Sequence, residues 1–163
     1  MTWFNRLLGS TQTPRLAGIY IATSASAPMR SVASVEAMAN EGLEGDRYAT
    51  GGGYWRAIEA CEITLIGADH LAAASRRSGL ALGNGEHRRN LVIEGLSQND
   101  LRNATLRIGE VCLCWQRVRP PCGYLDQIAG RGMARALGRL SGHCFRITQG
   151  GRLRVGDAVE FIH

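Results

Sequence analysis

Apolar residues in this chain fall in short runs separated by glycine, proline and charge, a pattern that predicts many short strands and few helices. Leu16 to Ala22 (LAGIYIA) is a partly β-branched apolar run of the kind that forms a buried strand. Pro28 interrupts the chain, and Arg30 to Ala39 (RSVASVEAMA) alternates imperfectly as a second strand. Glu62 to Gly67 (EITLIG) is a third. Asp69 to Arg77 (DHLAAASRR) is the clearest helix, rich in alanine and closed by Gly79 as its C-cap. Arg88-Arg89-Asn90 runs straight into the apolar Leu91-Val92-Ile93, which places polar groups at a strand mouth, a frequent position for site residues.

Leu96 to Leu101 reads as a short helical turn. Leu106-Arg107-Ile108-Gly109-Glu110-Val111 resembles Leu153-Arg154-Val155-Gly156-Asp157-Ala158-Val159, and both look like turns leading into sheet strands. Val111 to Val118 (VCLCWQRV) alternates, with Cys112, Cys114 and Gln116 on one face and Val111, Leu113 and Trp115 on the other. Cys112 and Cys114 are expected to pack as small buried hydrophobes. Leu125 to Ala129 and Met133 to Leu140 are two helical pieces broken at Gly130 to Gly132, and Cys144 to Gln149 and Ala158 to Ile162 close the chain as strands. Residues 1–14 form a short N-terminal lead, and 15–163 a single domain. The expected fold is β-rich mixed α/β: a largely antiparallel sheet curled into a barrel, with helices packed on the outside.

Composition adds one chemical exclusion. All 19 basic residues are arginine, so no side chain can form a Schiff base, and covalent pyridoxal phosphate catalysis is ruled out. The net charge of +5 is spread over scattered arginines, which reads as a solvated basic surface and not a nucleic-acid face. No apolar run is long enough to span a membrane and the first residues lack the pattern of a signal peptide, so a cytoplasmic location is expected. The odd count of five cysteines fits a reducing compartment, and their spacing offers no structural zinc motif.

Two glycines flank a small acidic motif at Gly42-Leu43-Glu44-Gly45-Asp46-Arg47, a compact turn that presents Asp46 and Arg47. Gly51 to Gly53 reads as a mobile loop, since a phosphate cradle needs a strand before it and a helix after it. The most informative thiol is Cys122 in Arg117-Val118-Arg119-Pro120-Pro121-Cys122-Gly123-Tyr124. The prolines stiffen its approach, Arg117 and Arg119 supply positive charge, and a helix is expected just after it, all of which favour the reactive thiolate. The histidines have no diagnostic spacing to Cys122, which argues against a Cys–His hydrolase.

Five motifs in order then carry a resemblance: Gly42 to Arg47, Arg89 to Gly95, Leu106 to Glu110, Arg119 to Cys122, and Val155-Gly156-Asp157. Together they resemble the MOSC domain, found at the C-terminus of molybdenum cofactor sulfurases and as stand-alone bacterial proteins. The resemblance covers about residues 15–163 and implies a β-barrel-like fold whose cysteine serves sulfur carriage or ligation of molybdenum. Enzymatic relatives reduce N-hydroxylated compounds at cysteine-bound molybdenum. By position, Cys122 would be the catalytic thiolate and metal ligand, while Asp46, Arg47, Arg89, Asn90 and Arg119 would serve the molybdenum cofactor (molybdopterin). The partners implied are that cofactor or a sulfur donor, with an electron-transfer or sulfur-donor protein. Two alternatives remain beside it: a non-catalytic module that binds and delivers cofactor or sulfur, and a metal-free cysteine-dependent sulfurtransferase. The sequence departs from the family pattern at Tyr48, where several relatives carry histidine, and at Arg89, within a segment that reads Arg-Glu-Asn in others.

Overall fold

The computed structural model describes residues 12–51, 61–120 and 123–163. Most of the expected N-terminal lead, the glycines at 52 and 53, and Cys122 itself lie outside the described residues.

The strands follow the apolar runs: β1 (Arg15–Ile21), β2 (Arg30–Val32), β3 (Ser34–Met38), β4 (Gly42–Leu43), β5 (Ile63–Gly67), β6 (Leu91–Glu94), β7 (Thr105–Ile108), β8 (Val111–Val118), β9 (His143–Gln149), β10 (Gly151–Arg154) and β11 (Val159–Phe161). The helices are α1 (Arg47–Thr50), α2 (Ala68–Ser78), α3 (Gln98–Leu101), α4 (Gly123–Ala129) and α5 (Met133–Leu137). No helix among the described residues is long and apolar enough to cross a membrane.

Eight strands form one sheet in the order β11-β7-β8-β9-β5-β6-β1-β2, and β10-β3-β4 form a second. Every described pairing is antiparallel except β5 with β6, which run parallel because α2 carries the chain back between them. The main core is made by Leu16, Ile19, Ile63, Leu65, Leu91, Ile93, Leu106, Ile108, Leu113, Phe145 and Ile147 of the large sheet, with Val35, Ala37 and Leu153 from the small one. A second cluster lies behind β5 and β6, where Ile66 and Val92 pack on Leu71 and Ala74 of α2, Leu125 of α4, and Met133 and Leu137 of α5. Apolar surface on both faces is why the two central strands read as nearly continuous hydrophobic runs. Burial of one such Leu or Ile side chain stabilises the fold by about 1.5–3 kcal/mol.

The large sheet does not close into the expected barrel. β2 takes the free edge of β1 at Ile19–Ile21, so only the start of β1 can face the other end of the sheet. There a single bridge, Arg15 to Ala158, joins β1 to the stretch before β11. Backbone bonds at Leu16 N to Asp157 O (2.9 Å) and Val159 N to Pro14 O (2.8 Å) complete the contact. The expected single strand over 30–39 is also two. The chain breaks at Ala33, whose carbonyl accepts from Val155 N (3.0 Å), and β2 and β3 enter different sheets.

The two similar glycine–acid segments serve different connections. Gly109 and Glu110 turn the β7–β8 hairpin, whereas the second segment passes from β10 in one sheet to β11 in the other. On β8 the alternation holds but the burial expectation fails. Val111 and Leu113 are buried, while Cys112 is half-buried and Cys114 exposed, because among the described residues no layer covers the outward face there.

Candidate functional site

Five segments converge on one narrow cleft. It is lined by Ala25, by Arg47 and Tyr48 of α1, by Arg88 and Arg89 at the mouth of β6, by Arg119 and Pro120 after β8, and by Tyr124, Leu125 and Ile128 of α4. Four arginines line this wall, and none of the described lining residues is acidic.

Asp46 builds the first corner. Its fully buried carboxylate caps α1 by accepting from Tyr48 N (3.3 Å), and it also accepts from Ala22 N (3.0 Å) at the end of β1. The same carboxylate holds Arg47, whose Nη1 donates to Oδ1 at 3.1 Å. Arg47 also donates from Nη2 to the Arg88 carbonyl (3.1 Å), and its guanidinium lies 4.5 Å from the centre of the Tyr48 ring. Burial pushes the Tyr48 hydroxyl pKa up, against the opposing pull of Arg47.

The second corner depends on a backbone inversion. Arg88 has φ +63°, in the left-handed region that non-glycine residues enter at a cost of about 1–2 kcal/mol. In an extended strand consecutive side chains point to opposite faces, whereas here Arg88 and Arg89 both reach the cleft. The Arg88 guanidinium is gripped by two carbonyls of the 25–27 turn, Ala25 O (2.7 Å) and Ala27 O. Arg89 donates from Nε to Ser141 O (2.8 Å) and from Nη2 to Ser141 Oγ (3.0 Å). Ser141 Oγ in turn donates to Arg119 O (2.7 Å), while Arg119 N donates to Gly142 O (2.7 Å). Gly142 is required there, since a Cβ at that position would come 2.5 Å from Arg89 Nε.

These cations are crowded. Burial first, and then repulsion from Arg47, hold the Arg88 pKa down to about 10. Arg89 is likewise lowered to about 10, by burial and then Arg119. A site whose positive charges raise one another's free energy is relieved by a bound anion, and guanidinium geometry suits phosphate or carboxylate. Beneath Arg89, the fully buried His87 accepts from Arg89 N at Nδ1 (2.9 Å). Burial, with Arg89 and Arg88 adding, keeps His87 neutral down to about pH 3.

Of the residues singled out in the sequence, Arg47, Arg89 and Arg119 meet in the cleft. Asp46 stands behind Arg47. Asn90 does not line the cleft. Its amide oxygen accepts from Thr64 N (3.0 Å) and Thr64 Oγ1 (3.1 Å), and its nitrogen donates to Tyr20 O (3.1 Å), so it pins β5, β6 and β1 together. Cys122 falls outside the described residues, but Pro120 and Tyr124 on either side of the 121–122 dipeptide both line the cleft. The sequence marks Arg88 only as one of the polar residues at a strand mouth and Tyr48 only as a departure from the family pattern, and it does not single out Tyr124 or Ser141. The double arginine was visible, but the backbone inversion that aims both side chains one way was not.

A second pair of thiols flanks the same site. Cys144 of β9 is fully buried, and Cys61, two residues before β5, is half-buried; their sulfurs are 2.7 Å apart. The hydrogen bond from Cys61, with Arg119, Arg117 and Arg89 nearby, lowers the Cys144 pKa to about 7, while burial pushes Cys61 well up. Among the described residues, no group of three or more His, Cys, Asp or Glu side chains converges as a metal site.

A family model described as MOSC domain matches residues 44–160. The chain is similar in fold to the YUAD protein from Bacillus subtilis, with a TM-score of 0.76, 14% identity, and coverage of 91% of this chain and 94% of that one. It is similar to YiiM from Geobacillus stearothermophilus (TM-score 0.69, 18% identity, 92% and 75% covered). YiiM from Escherichia coli is similar too (TM-score 0.66, 16% identity, 91% and 70% covered). At these identities the structural likeness concerns the fold. Comparison with curated proteins finds no match.

Proposed function

The chain belongs to the MOSC domain family, and from that premise we propose that it binds the molybdenum cofactor in the arginine-lined cleft and acts as a small reductase of N-hydroxylated compounds. The observation that carries this reading is the convergence of Arg47, Arg88, Arg89 and Arg119 on one cleft that Pro120 and Tyr124 also line. The donor set fits the group. Molybdopterin ends in a phosphate, which buried, pre-positioned guanidiniums bind bidentately without first having to be ordered.

In this proposal Arg89, locked by Ser141, and Arg88, locked by the 25–27 carbonyls, hold the anionic end. Arg47, fixed by Asp46, stands beside Arg88 on the same wall. Tyr48 and Tyr124 offer ring faces and hydroxyls to the rest of the ligand. Cys122 supplies a soft thiolate to the metal, and the charge of Arg119 three positions before it favours that ionised form. The cofactor, when bound, supplies two-electron redox chemistry.

The test is metal analysis of protein purified from a host that makes the cofactor, followed by turnover of an amidoxime or hydroxylamino base with a reduced electron-transfer protein. Molybdenum in the wild type, sharply reduced in Arg89→Gln and Cys122→Ser, is expected, together with turnover by the wild type. A metal-free wild type overturns cofactor binding. Molybdenum without turnover converts the reading to a delivery module.

A further inference from the structure

We infer that Cys61 and Cys144 form a redox-active dithiol at the edge of the arginine cleft, which small hydroperoxides convert reversibly to a disulfide. The inference does not depend on Cys122 or on any cofactor. The first observation is proximity. The two sulfurs are 2.7 Å apart, though 83 residues separate them in sequence, and a disulfide needs only about 2.05 Å. The second is how firmly each is placed. Cys144 sits within β9, opposite Thr64 on β5 and Arg117 on β8, and Cys61 enters β5 two residues later at Ile63, itself paired with Phe145. Cys61 lies just ahead of β5, outside the ladder, so the pair joins the segment that leads into β5 to the neighbouring strand β9.

The third observation is charge and access. Arg119, Arg117 and Arg89 surround the pair with positive potential, which favours a thiolate on Cys144. Cys61 is the more exposed thiol of the two, which leaves a small, uncharged oxidant an approach to the pair, whereas a bulky disulfide cannot reach the fully buried Cys144.

The chemistry balances with a hydroperoxide as the named oxidant. The Cys144 thiolate attacks the terminal peroxide oxygen, the O–O bond breaks, and the departing alkoxide or hydroxide takes a proton from solvent. The resulting sulfenic acid is attacked at sulfur by Cys61. The S–O bond breaks, and water leaves carrying the Cys61 proton. The two sulfurs lose two electrons and the peroxide gains them; a dithiol reductant reverses the step by exchange.

The experiment is differential alkylation with peptide mass spectrometry on the full chain before and after hydrogen peroxide, in the wild type and in Cys122→Ser. A Cys61–Cys144 crosslinked peptide is expected in both proteins, lost again on dithiothreitol treatment, and formed faster than oxidation of the exposed Cys114. The oxidised protein should also show a higher urea midpoint than the reduced one, a shift absent from Cys61→Ala. Persistence of Cys61 and Cys144 as free thiols after Cys114 has been oxidised overturns the inference. So does a crosslink from either of them to Cys122 in place of the pair.

Discussion

Replacing Asp46 by alanine tests whether the buried carboxylate holds the site together. It accepts from Ala22 N at 3.0 Å, Arg47 Nη1 at 3.1 Å and Tyr48 N at 3.3 Å, with no exposure to solvent. Loss of a helix cap alone costs about 0.5–2 kcal/mol. Stranding the buried partner of an ion pair costs about 3–5 kcal/mol, and Arg47 is only 6% exposed. These contributions overlap, so about 3–5 kcal/mol in total is expected, a large part of a typical stability of about 5–15 kcal/mol. With a urea slope of about 2 kcal/mol per M, the midpoint should fall by about 1.5–2.5 M. Asp46→Asn keeps one acceptor oxygen, enough for one of the two backbone donors, which bond different carboxylate oxygens, and should lose less, about 1–3 kcal/mol. The decisive comparison is the double variant Asp46→Ala with Arg47→Met. Removing both charges should cost less than the sum of the single changes, by about 0.5–3 kcal/mol. Urea titration followed by circular dichroism measures the wild type, Asp46→Ala, Asp46→Asn, Arg47→Met and the double variant. A midpoint shift under about 0.5 M for Asp46→Ala, or strict additivity in the double variant, would refute the argument.

Acidification should destabilise the fold through His87. Its folded-state pKa of about 3 lies below the ordinary 6.5, so its contribution is fully present above pH 6.5 and is lost as pH falls toward 3. The slope is up to about 1.4 kcal/mol per pH unit; urea midpoints between pH 7 and 4.5 should fall less steeply in His87→Gln, and equal slopes would count against this assignment. Gly142→Ala should destabilise by about 1–3 kcal/mol and weaken binding of inorganic phosphate in calorimetry, because its Cβ would displace Arg89. A bulky thiol reagent should modify Cys114 in the native protein and Cys144 only on unfolding; equal rates would contradict their exposures.

Most strands were legible because one buried face writes alternation, or two write a continuous run, directly into the chain. Leu91-Val92-Ile93 and Ile63 to Gly67 are of the second kind, and α2 ends where Gly79 takes φ +72°. Arg47, Arg89 and Arg119, which motif order picks out, meet in one cleft. What stayed hidden was non-local. Whether a strand's second face is covered depends on another layer, so Cys112 and Cys114 were expected inside and lie on the outward face. Closure of the barrel depended on which strand takes the edge of β1, and β2 takes it. Asn90 looked like a ligand contact because it is polar at a strand mouth, yet its amide bonds to Thr64 and Tyr20. Cys61 and Cys144, 83 positions apart, carry no local signal of one another.

The bonds between Arg119 and the Ser141–Gly142 step have a consequence for how this architecture can diversify. Arg119 N to Gly142 O and Ser141 Oγ to Arg119 O, both 2.7 Å, tie the two ends of the 120–140 excursion at one point. The knot sets where the excursion leaves and rejoins the sheet, and between those ends Leu125, Met133 and Leu137 anchor it on Ile66 and Val92. Doubling such a loop adds only about 0.6 kcal/mol of closure entropy. The stretches of the excursion outside those three apolar anchors can thus vary in length at small cost. Lengthened or grafted versions could reshape one wall of the cleft and alter ligand choice, while Arg47, Arg88 and Arg89 stay where β1, β6 and α1 hold them.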